Sequence, residues 1–140
     1  MIRAAEARDH DAWAALFIAY GEFYETAFSE DVVESTWRRL LNPAEGIDAL
    51  VAEVDGRVVG FAHYRSHPDT FSVGRDWFLD DLYTDPAARG TGVATQLIEH
   101  LTQLADGALR WITAESNTTA QSVYNKLATK TTWVTYEVRK

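Results

Sequence analysis

The chain has 140 residues, and its 13 Lys and Arg against 21 Asp and Glu give a net charge of −8. A chain of this length can bury one substantial core, and its acidic balance disfavours nucleic acid and acidic membranes as partners while it suits a cationic substrate. Because cysteine is absent and the apolar runs are far shorter than a membrane span, the sequence excludes disulfides, cysteine metal sites, a thiol nucleophile and a transmembrane helix.

The N-terminal third predicts a short strand followed by two helices. Residues 2–5 form the candidate strand. Apolar side chains recur at helical spacing over residues 9–26, where Asp9 or Asp11 is a suitable N-cap. A second helix is expected after Ser29, because acidic residues follow it at the positive end of the helix and apolar residues mark a buried face.

The middle of the chain predicts a β-hairpin and a third long strand. Residues 50–54 and 57–64 flank Asp55-Gly56, a dipeptide that accepts the positive φ values of a type I′ turn. Residues 65–75 are polar and contain proline and glycine, so a loop is expected there, before a strand over residues 76–84.

The last third alternates helices and strands. A helix is expected from near Gly92, then a strand over residues 110–115, a helix capped by Asn117 and a final strand over residues 133–138. The order β-α-α-β-β-β-α-β-α-β predicts an α/β fold, with helices on both faces of a mixed sheet. Because the chain shows no linker and starts without a signal-peptide pattern, we expect one domain over residues 1–140 in a cytoplasmic protein.

A glycine-rich turn joins the third long strand to the helix after it. It contains the pattern Arg89-x-x-Gly92-x-Ala94. Glycine lets the backbone approach a ligand without interference from Cβ, and the first amides of a helix have no intrahelical acceptor, so they can hydrogen-bond phosphate oxygens. The turn is therefore a candidate pyrophosphate site, with a plain helix start that uses glycine only to turn as the alternative.

The turn and a later helix together resemble the GNAT superfamily of N-acetyltransferases. The GNAT signature is Arg or Gln, two residues, Gly, one residue, and then Gly or Ala, which the stretch from Arg89 to Ala94 matches. The segment from Asn117 to Leu127 resembles the GNAT helix in which Asn and Ala line the CoA arm and Tyr lies beside the sulfur. The resemblance covers about residues 50–128 and implies the GNAT fold, a mixed, mostly antiparallel sheet with helices on both faces.

This resemblance implies acetyl-CoA as the cosubstrate and no metal. In the family the glycine turn binds the pyrophosphate through backbone amides, and amides of the preceding strand polarise the acetyl carbonyl. The acetyl-CoA contacts that the resemblance implies, residue by residue, are Leu82, Tyr83, Thr84, Arg89, Gly90, Thr91, Gly92, Val93, Ala94, Thr95, Asn117, Ala120, Tyr124 and Lys126.

Within the superfamily, residues 77–83 and 115–117 look most like small-amine acetyltransferases of the spermidine/spermine type and their amino-acid- and histone-acetylating relatives. In those proteins an acidic pair at the positions of Asp80 and Asp81 faces the substrate amine, and Tyr124 matches the proton donor. Because neighbouring residues of a strand point to opposite faces, at most one of the two carboxylates is expected to face the reacting nitrogen.

The end of the first helix is where the family places its substrate wall, which implies Glu22, Tyr24 and Glu25 as substrate contacts. Each candidate residue also has a structural interpretation. Asp80 and Asp81 would then be one solvated and one locally paired carboxylate, Tyr124 would be a core tyrosine, and the helix-end residues would be solvated.

The resemblance implies an N-acetyltransferase that moves the acetyl group of acetyl-CoA to a primary amine of a small cationic metabolite, of polyamine or amino-acid type. The amine would attack directly in a ternary complex, with Asp80 or Asp81 as proton acceptor and Tyr124 as proton donor. The alternatives are a protein-lysine or N-terminal acetyltransferase, and a non-catalytic CoA-binding module.

Other chemistries fit the sequence less well. The four histidines are scattered, and His63 and His67 fall on a strand and a loop, so we interpret them as surface or satisfied core residues. A dinucleotide fold would use Gly90-x-Gly92 and Glu115, but its third glycine position is Thr95.

The C-terminal part departs from the family pattern. The family usually has Gly-Phe after the helix that contains Tyr124, and this chain has Ala128-Thr129, so the path of residues 128–132 stays open. The exposed final strand, residues 133–138, favours a homodimer.

Overall fold

The computed structural model describes residues 1–140 and contains one five-stranded sheet in the order β1-β2-β3-β4-β5. Strands β1 to β4 pair antiparallel with their neighbours, and β5 lies parallel to β4. The predicted mixed, mostly antiparallel sheet is therefore confirmed. The strands are β1 (Ile2–Ala4), β2 (Ile47–Val54), β3 (Arg57–Pro68), β4 (Arg75–Thr84) and β5 (Leu109–Arg110).

The four α-helices are α1 (His10–Phe23), α2 (Glu30–Leu40), α3 (Val93–Leu104) and α4 (Thr118–Tyr124). Ser29 caps α2 as predicted, because its hydroxyl accepts a hydrogen bond from the amide of Val32 at 3.2 Å. None of these helices has the length and apolar character that a membrane crossing needs.

Helices cover both faces of the sheet, as predicted. The first core lies between the sheet and α1–α2, and it contains Trp13, Phe17, Trp37, Val51 and Phe61. The second core lies between the opposite face and α3, and it contains Leu50, Ala62, Leu79, Leu97 and Leu101. Because strand residues alternate between faces, the neighbours Leu50 and Val51 belong to different cores.

The predicted β2–β3 hairpin is present. Asp55 and Gly56 connect the strands with φ values of 51° and 77°, as a type I′ turn requires. The predicted loop over residues 65–75 is wrong at both ends, because β3 continues to Pro68 and pairs there with Arg75 of β4. Pairing across the two strands outweighs the polar composition that favoured a loop.

Asp9 does not cap α1 through its side chain. Its carboxylate instead accepts two hydrogen bonds from the Arg3 guanidinium, at 2.7 and 2.9 Å, and one from the amide of Glu6 at 2.8 Å. Asp9, which was predicted as a cap, therefore connects β1 to the start of α1 through its ion pair with Arg3.

The C-terminal part differs most from the sequence prediction. The strand expected over residues 110–115 is reduced to the end of β5, and residues 133–138 form no strand. A strand needs the edge of another strand beside it, and residues 133–138 meet none within the chain. Their apolar side chains are almost fully exposed: Trp133, Val134, Tyr136 and Val138.

Candidate active site

The turn between β4 and α3 presents unpaired amides. Gly90 and Gly92 have φ values of 81° and 85°, in the left-handed region that favours glycine. Gly92 precedes the first turn of α3, and no side chain caps that end of the helix. Within α3, the first backbone amide that has an acceptor is that of Gln96, which donates to the Gly92 carbonyl at 2.9 Å. The amides at 93–95 therefore have no hydrogen-bond acceptor within the chain.

Space is open around this turn. A Cβ built on Gly90 meets no atom within 4 Å, and one built on Gly92 meets only the Gln96 side-chain nitrogen, at 3.9 Å. Thr91 is exposed, and its hydroxyl donates to the Ala88 carbonyl, which holds the turn in shape. The glycines are therefore required for backbone conformation, and the space beside them is free for a phosphate group.

The end of β4 beside the turn is open on one side. On that side β5 pairs only with Trp77 and Phe78, so the edge of β4 over residues 79–84 has no strand partner there. Thr84 is buried, yet its hydroxyl has no hydrogen-bond partner in the chain. The Arg89 guanidinium donates to the Thr84 carbonyl at 3.3 Å and lies 5.5 Å from the centre of the Tyr83 ring. An unpaired buried hydroxyl beside unpaired amides suits a polar, phosphate-bearing ligand.

Asp81 belongs to a chain of hydrogen bonds that crosses from β4 to α1. His63 Nδ1 lies 2.9 Å from one carboxylate oxygen, and the Tyr20 hydroxyl donates to the other at 2.7 Å. Trp13 Nε1 donates to His63 Nε2 at 2.9 Å. Because the Trp13 N–H requires an acceptor at His63 Nε2, the His63 proton lies on Nδ1, and the Nδ1–H donates a hydrogen bond to Asp81.

These contacts determine the charge of Asp81. Burial raises the pKa of its carboxyl, but the hydrogen bonds from His63 and Tyr20 stabilise the carboxylate more, so the net pKa lies below the ordinary value. Burial and the adjacent Asp81 carboxylate raise the pKa of Tyr20, which keeps its hydroxyl protonated. Asp81 is therefore a fixed negative charge with both oxygens already engaged.

A β-bulge brings Asp80 to the same face as Asp81. The pairing of β3 with β4 shifts between His63 and Tyr64, so that Asp81 lies opposite His63 while Leu79 lies opposite Tyr64. Asp80 is the extra residue, and its carboxylate contacts Arg65, which shares a face of β3 with His63. The strict alternation of faces on which the sequence expectation rested therefore fails at this bulge, while which carboxylate faces the reacting nitrogen stays a prediction.

Asp80 has the opposite electrostatic environment. Burial raises the pKa of its carboxyl above the ordinary value, and the hydrogen bond from Arg65 offsets only part of this effect. The charge on the neighbouring Asp81 raises it further. Of the two carboxylates, that of Asp80 is therefore the more basic.

Tyr124 lies at the end of α4, half-buried on the α3 side of the sheet, with its ring 5.4 Å from that of Trp111. Burial raises its pKa, as does the nearby Tyr24, so its hydroxyl stays protonated at neutral pH. Asn117 caps α4 by accepting from the Ala120 amide at 3.2 Å, and Lys126 is exposed after the helix.

The end of α1 contributes aromatic and acidic side chains. Tyr24 is exposed, and its ring lies 5.1 Å from that of Tyr20, at a steep angle. Glu22 and Glu25 are exposed at the turn that ends the helix, where Glu25 has a φ of 57°. Tyr24 therefore lies beside the hydrogen-bonded chain that includes Asp81, while the two glutamates face solvent.

Sequence reasoning missed the two partners of Asp81, which are Tyr20 and His63, and the contact of His63 with Trp13. His63 is a satisfied core residue, as interpreted, since its side chain is 1% exposed and both ring nitrogens have partners. Its placement opposite Asp81 depends on the β3–β4 register, which no turn signal in the sequence specifies. No three or more metal-ligating side chains of the chain come together.

Comparisons with known proteins identify the family of this chain. Residues 12–128 match the Acetyltransferase (GNAT) family. The chain is 34% identical to the D-amino-acid N-acetyltransferase HPA3 of Saccharomyces cerevisiae, over 98% of this chain and 89% of that protein. It is 32% identical to the uncharacterized N-acetyltransferase YhfO of Bacillus subtilis, over 89% of this chain and 86% of that protein. The crystal structure of a probable acetyltransferase, 26% identical, superposes with a TM-score of 0.87 and covers 100% of this chain and 97% of its own.

Proposed function

Because the chain belongs to the GNAT family of acetyltransferases, we propose that it acetylates a primary amine of a small amino-acid or polyamine-type metabolite by direct attack on acetyl-CoA in a ternary complex. The observation that carries the proposal is the β-bulge, which presents Asp80 and Asp81 side by side on one face of β4. Two carboxylates with opposite pKa shifts suit a site that must both hold an ammonium group and remove its proton.

The residues around the glycine turn fit acetyl-CoA. The unpaired amides at 93–95 would bind the pyrophosphate, with Gly90, Thr91 and Gly92 giving backbone access. The open edge of β4, from Leu82 to Thr84, would hold the arm that carries the thioester, and Asn117, Ala120 and Lys126 would line its other side. Bound acetyl-CoA supplies an acetyl group activated as a thioester for attack by a neutral amine.

Proton removal is the task of the acidic pair. An alkyl amine with a pKa of about 10 arrives protonated and cannot attack until it loses that proton. Asp81 would attract and orient the ammonium group, because it stays ionised and is held by two donors. Asp80 would accept the proton, directly or through water, because burial makes its carboxylate the more basic of the two.

The acceptor is proposed to be small and cationic at its amine. The net charge of −8 and the acidic pair favour a positively charged group. The relative named a D-amino-acid N-acetyltransferase supports an amino acid as the acceptor class. We further propose a homodimer formed through residues 133–138, whose apolar side chains are exposed.

The test compares Asp80→Asn and Asp81→Asn on a polyamine, a basic amino acid and a neutral amino acid, from about pH 6.5 to 9.5. Loss of Asp80 should lower kcat, whereas loss of Asp81 should mainly raise KM. Asp55→Asn is the matched control, because it removes one charge at the distant β2–β3 turn, where asparagine accepts positive φ equally well. If neither site variant differs from this control, both carboxylates are structural.

A further inference from the structure

Arg65 is fixed beside the acidic pair by two neighbours. Its Nε donates to both oxygens of the Asp80 carboxylate, at 3.1 and 3.0 Å. Its guanidinium carbon lies 4.7 Å from the centre of the Phe78 ring, which is the geometry of a cation–π contact. Arg65 is two residues from His63 on β3, so it faces the same side of the sheet as Asp81 and its partners.

The outer part of the guanidinium has no partner. Neither terminal nitrogen of Arg65 makes a hydrogen bond within the chain, and the side chain is 46% exposed. A guanidinium held at Nε and supported by a ring has little conformational entropy left to lose, and its two terminal nitrogens form a fork that matches a carboxylate. Arg65 is thus prepared for a second anion in addition to Asp80.

The adjacent negative and positive charges of Asp80 and Arg65 favour one class of acceptor over the others. The amine of an α-amino acid and its carboxylate are attached to the same carbon, so a site for both must place a negative and a positive group side by side. Asp80 and Arg65 are in direct contact and provide that arrangement. A polyamine has no carboxylate, and its second ammonium group would be repelled by Arg65.

We infer that Arg65 binds the carboxylate of an amino-acid acceptor whose amine lies at Asp80 and Asp81, so that the enzyme prefers α-amino acids to polyamines and to amino acids without a free carboxylate. This inference rests on the proposed function, because it concerns the acceptor of the same site. It makes Arg65 a specificity-determining residue and assigns it no proton transfer.

The experiment measures CoA release with an amino acid and with its own amide, which keeps the amine and the side chain and lacks the negative charge. Both enantiomers of the amino acid with the highest wild-type kcat/KM are used. Arg65→Met should raise the KM for the amino acid roughly 10- to 100-fold, the range of a charge-assisted bidentate contact, and change the KM for the amide less than about threefold. Arg65→Lys should restore part of the affinity for the amino acid only.

The ratio of the KM values for the two substrates separates recognition of the carboxylate from indirect effects of the substitution. Arg65→Met also alters the surroundings of Asp80, and that change acts on the amine of both substrates, whereas loss of the carboxylate contact acts on the amino acid alone. Equal loss on both substrates, or a wild-type enzyme that acetylates the amide or a polyamine as well as the amino acid, would overturn the inference and leave the acetyltransferase function standing. If the wild-type protein acetylates none of these amines, the proposed function fails as well.

Discussion

The Tyr124 hydroxyl has a chemical environment that suits proton donation. It lies at the end of α4, half-buried beside the Trp111 ring, and burial keeps its pKa above the ordinary value. The structure records no hydrogen bond from this hydroxyl to the chain, in contrast to Tyr20, which donates to Asp81. A protonated hydroxyl without a partner in the protein is available to a bound molecule.

Tyr124→Phe is expected to reduce kcat by roughly 10²-fold, because it deletes the proton donor, while the affinity for CoA changes little, because the ring still packs against Trp111. Steady-state kinetics combined with calorimetric titration of CoA measures both effects. Tyr136→Phe is a suitable control, since Tyr136 is an exposed tyrosine far along the C-terminal segment. Wild-type turnover in Tyr124→Phe would mean that the hydroxyl is structural or that water supplies the proton.

At the residue scale, the sequence suggested candidate residues but could not predict their surroundings. Asp80 and Asp81 could be chosen from the motif, but their different pKa shifts depend on burial, Arg65 and His63. Those contacts come from the β3–β4 register and its bulge, and a bulge is a tertiary feature with no local signal in this stretch.

Among the elements, the β4–α3 turn carries the most direct structural signal. Its first helical amides are unpaired, as the motif predicted from backbone chemistry alone. Its glycines in addition adopt positive φ, which the motif did not specify. The protein itself leaves room for a side chain at Gly92. A substitution there therefore tests contact with a ligand separately from contact with the protein.

Gly92→Val is expected to weaken CoA binding at least about tenfold, because a branched side chain blocks the approach of phosphate to the helix amides. Gly46→Val is the matched control, since Gly46 has a φ of 75° and a Cβ built on it meets no atom within 4 Å, so that it has at least as much room as Gly92. Both variants carry similar backbone strain, so only a loss of affinity specific to Gly92→Val reports on the ligand. Equal CoA affinity in the two folded variants would remove the basis for the proposed pyrophosphate site.

The ion pair between Arg3 and Asp9, which connects β1 to the start of α1, makes a contribution to stability that depends on pH. Asp9 is buried, and the hydrogen bonds from the Arg3 guanidinium lower its pKa, with burial opposing this effect. Because the folded-state pKa is lower than that of the unfolded chain, the stability from Asp9 is present above the unfolded value, near 4, and is lost as the pH falls through the folded value.

Asp9→Asn is expected to lower the free energy of unfolding by about 2 kcal/mol at neutral pH, because it removes the carboxylate charge paired with the part-buried Arg3 guanidinium and leaves Glu53 as its remaining anion. The difference from wild type should shrink as the pH falls below about 4, where the wild-type carboxyl also becomes protonated. Urea unfolding at a series of pH values measures it, with Asp55→Asn as the surface control. A difference that stays constant with pH would show that packing, not charge, is lost.

The elements that the sequence predicted well are those with strong local signals. The α2 cap at Ser29, the Asp55-Gly56 turn and the period of α3 all act over a few residues. Residues 65–75 and 110–115 were assigned incorrectly because strand length there depends on what lies alongside. The partner strand extends the first stretch, and β4 pairs with only two residues of β5.

For the molecule as a whole, the C-terminal segment of residues 133–138 has the sequence pattern of a strand but pairs with no strand of the chain. Val134, Tyr136 and Val138 alternate with Thr135 and Glu137, which is the pattern of a half-buried strand. The segment nevertheless lies exposed, while the sheet ends at β5 with an unpaired edge. An exposed strand-like segment and an open sheet edge in one chain can satisfy each other between two copies.

The proposed homodimer is expected to be lost in the double variant Trp133→Ser/Tyr136→Ser, because the variant lacks the two largest apolar side chains of the segment. Sedimentation velocity over a range of concentrations measures the association, and the emission of Trp133 should shift to the blue when the dimer buries it. Phe71→Ser is the matched control, since Phe71 is equally exposed but belongs to the β3–β4 turn. A wild-type chain that sediments as a monomer at every concentration would rule out the homodimer. A double variant that dimerises as well as Phe71→Ser does would rule out a role for residues 133–138 in the dimer.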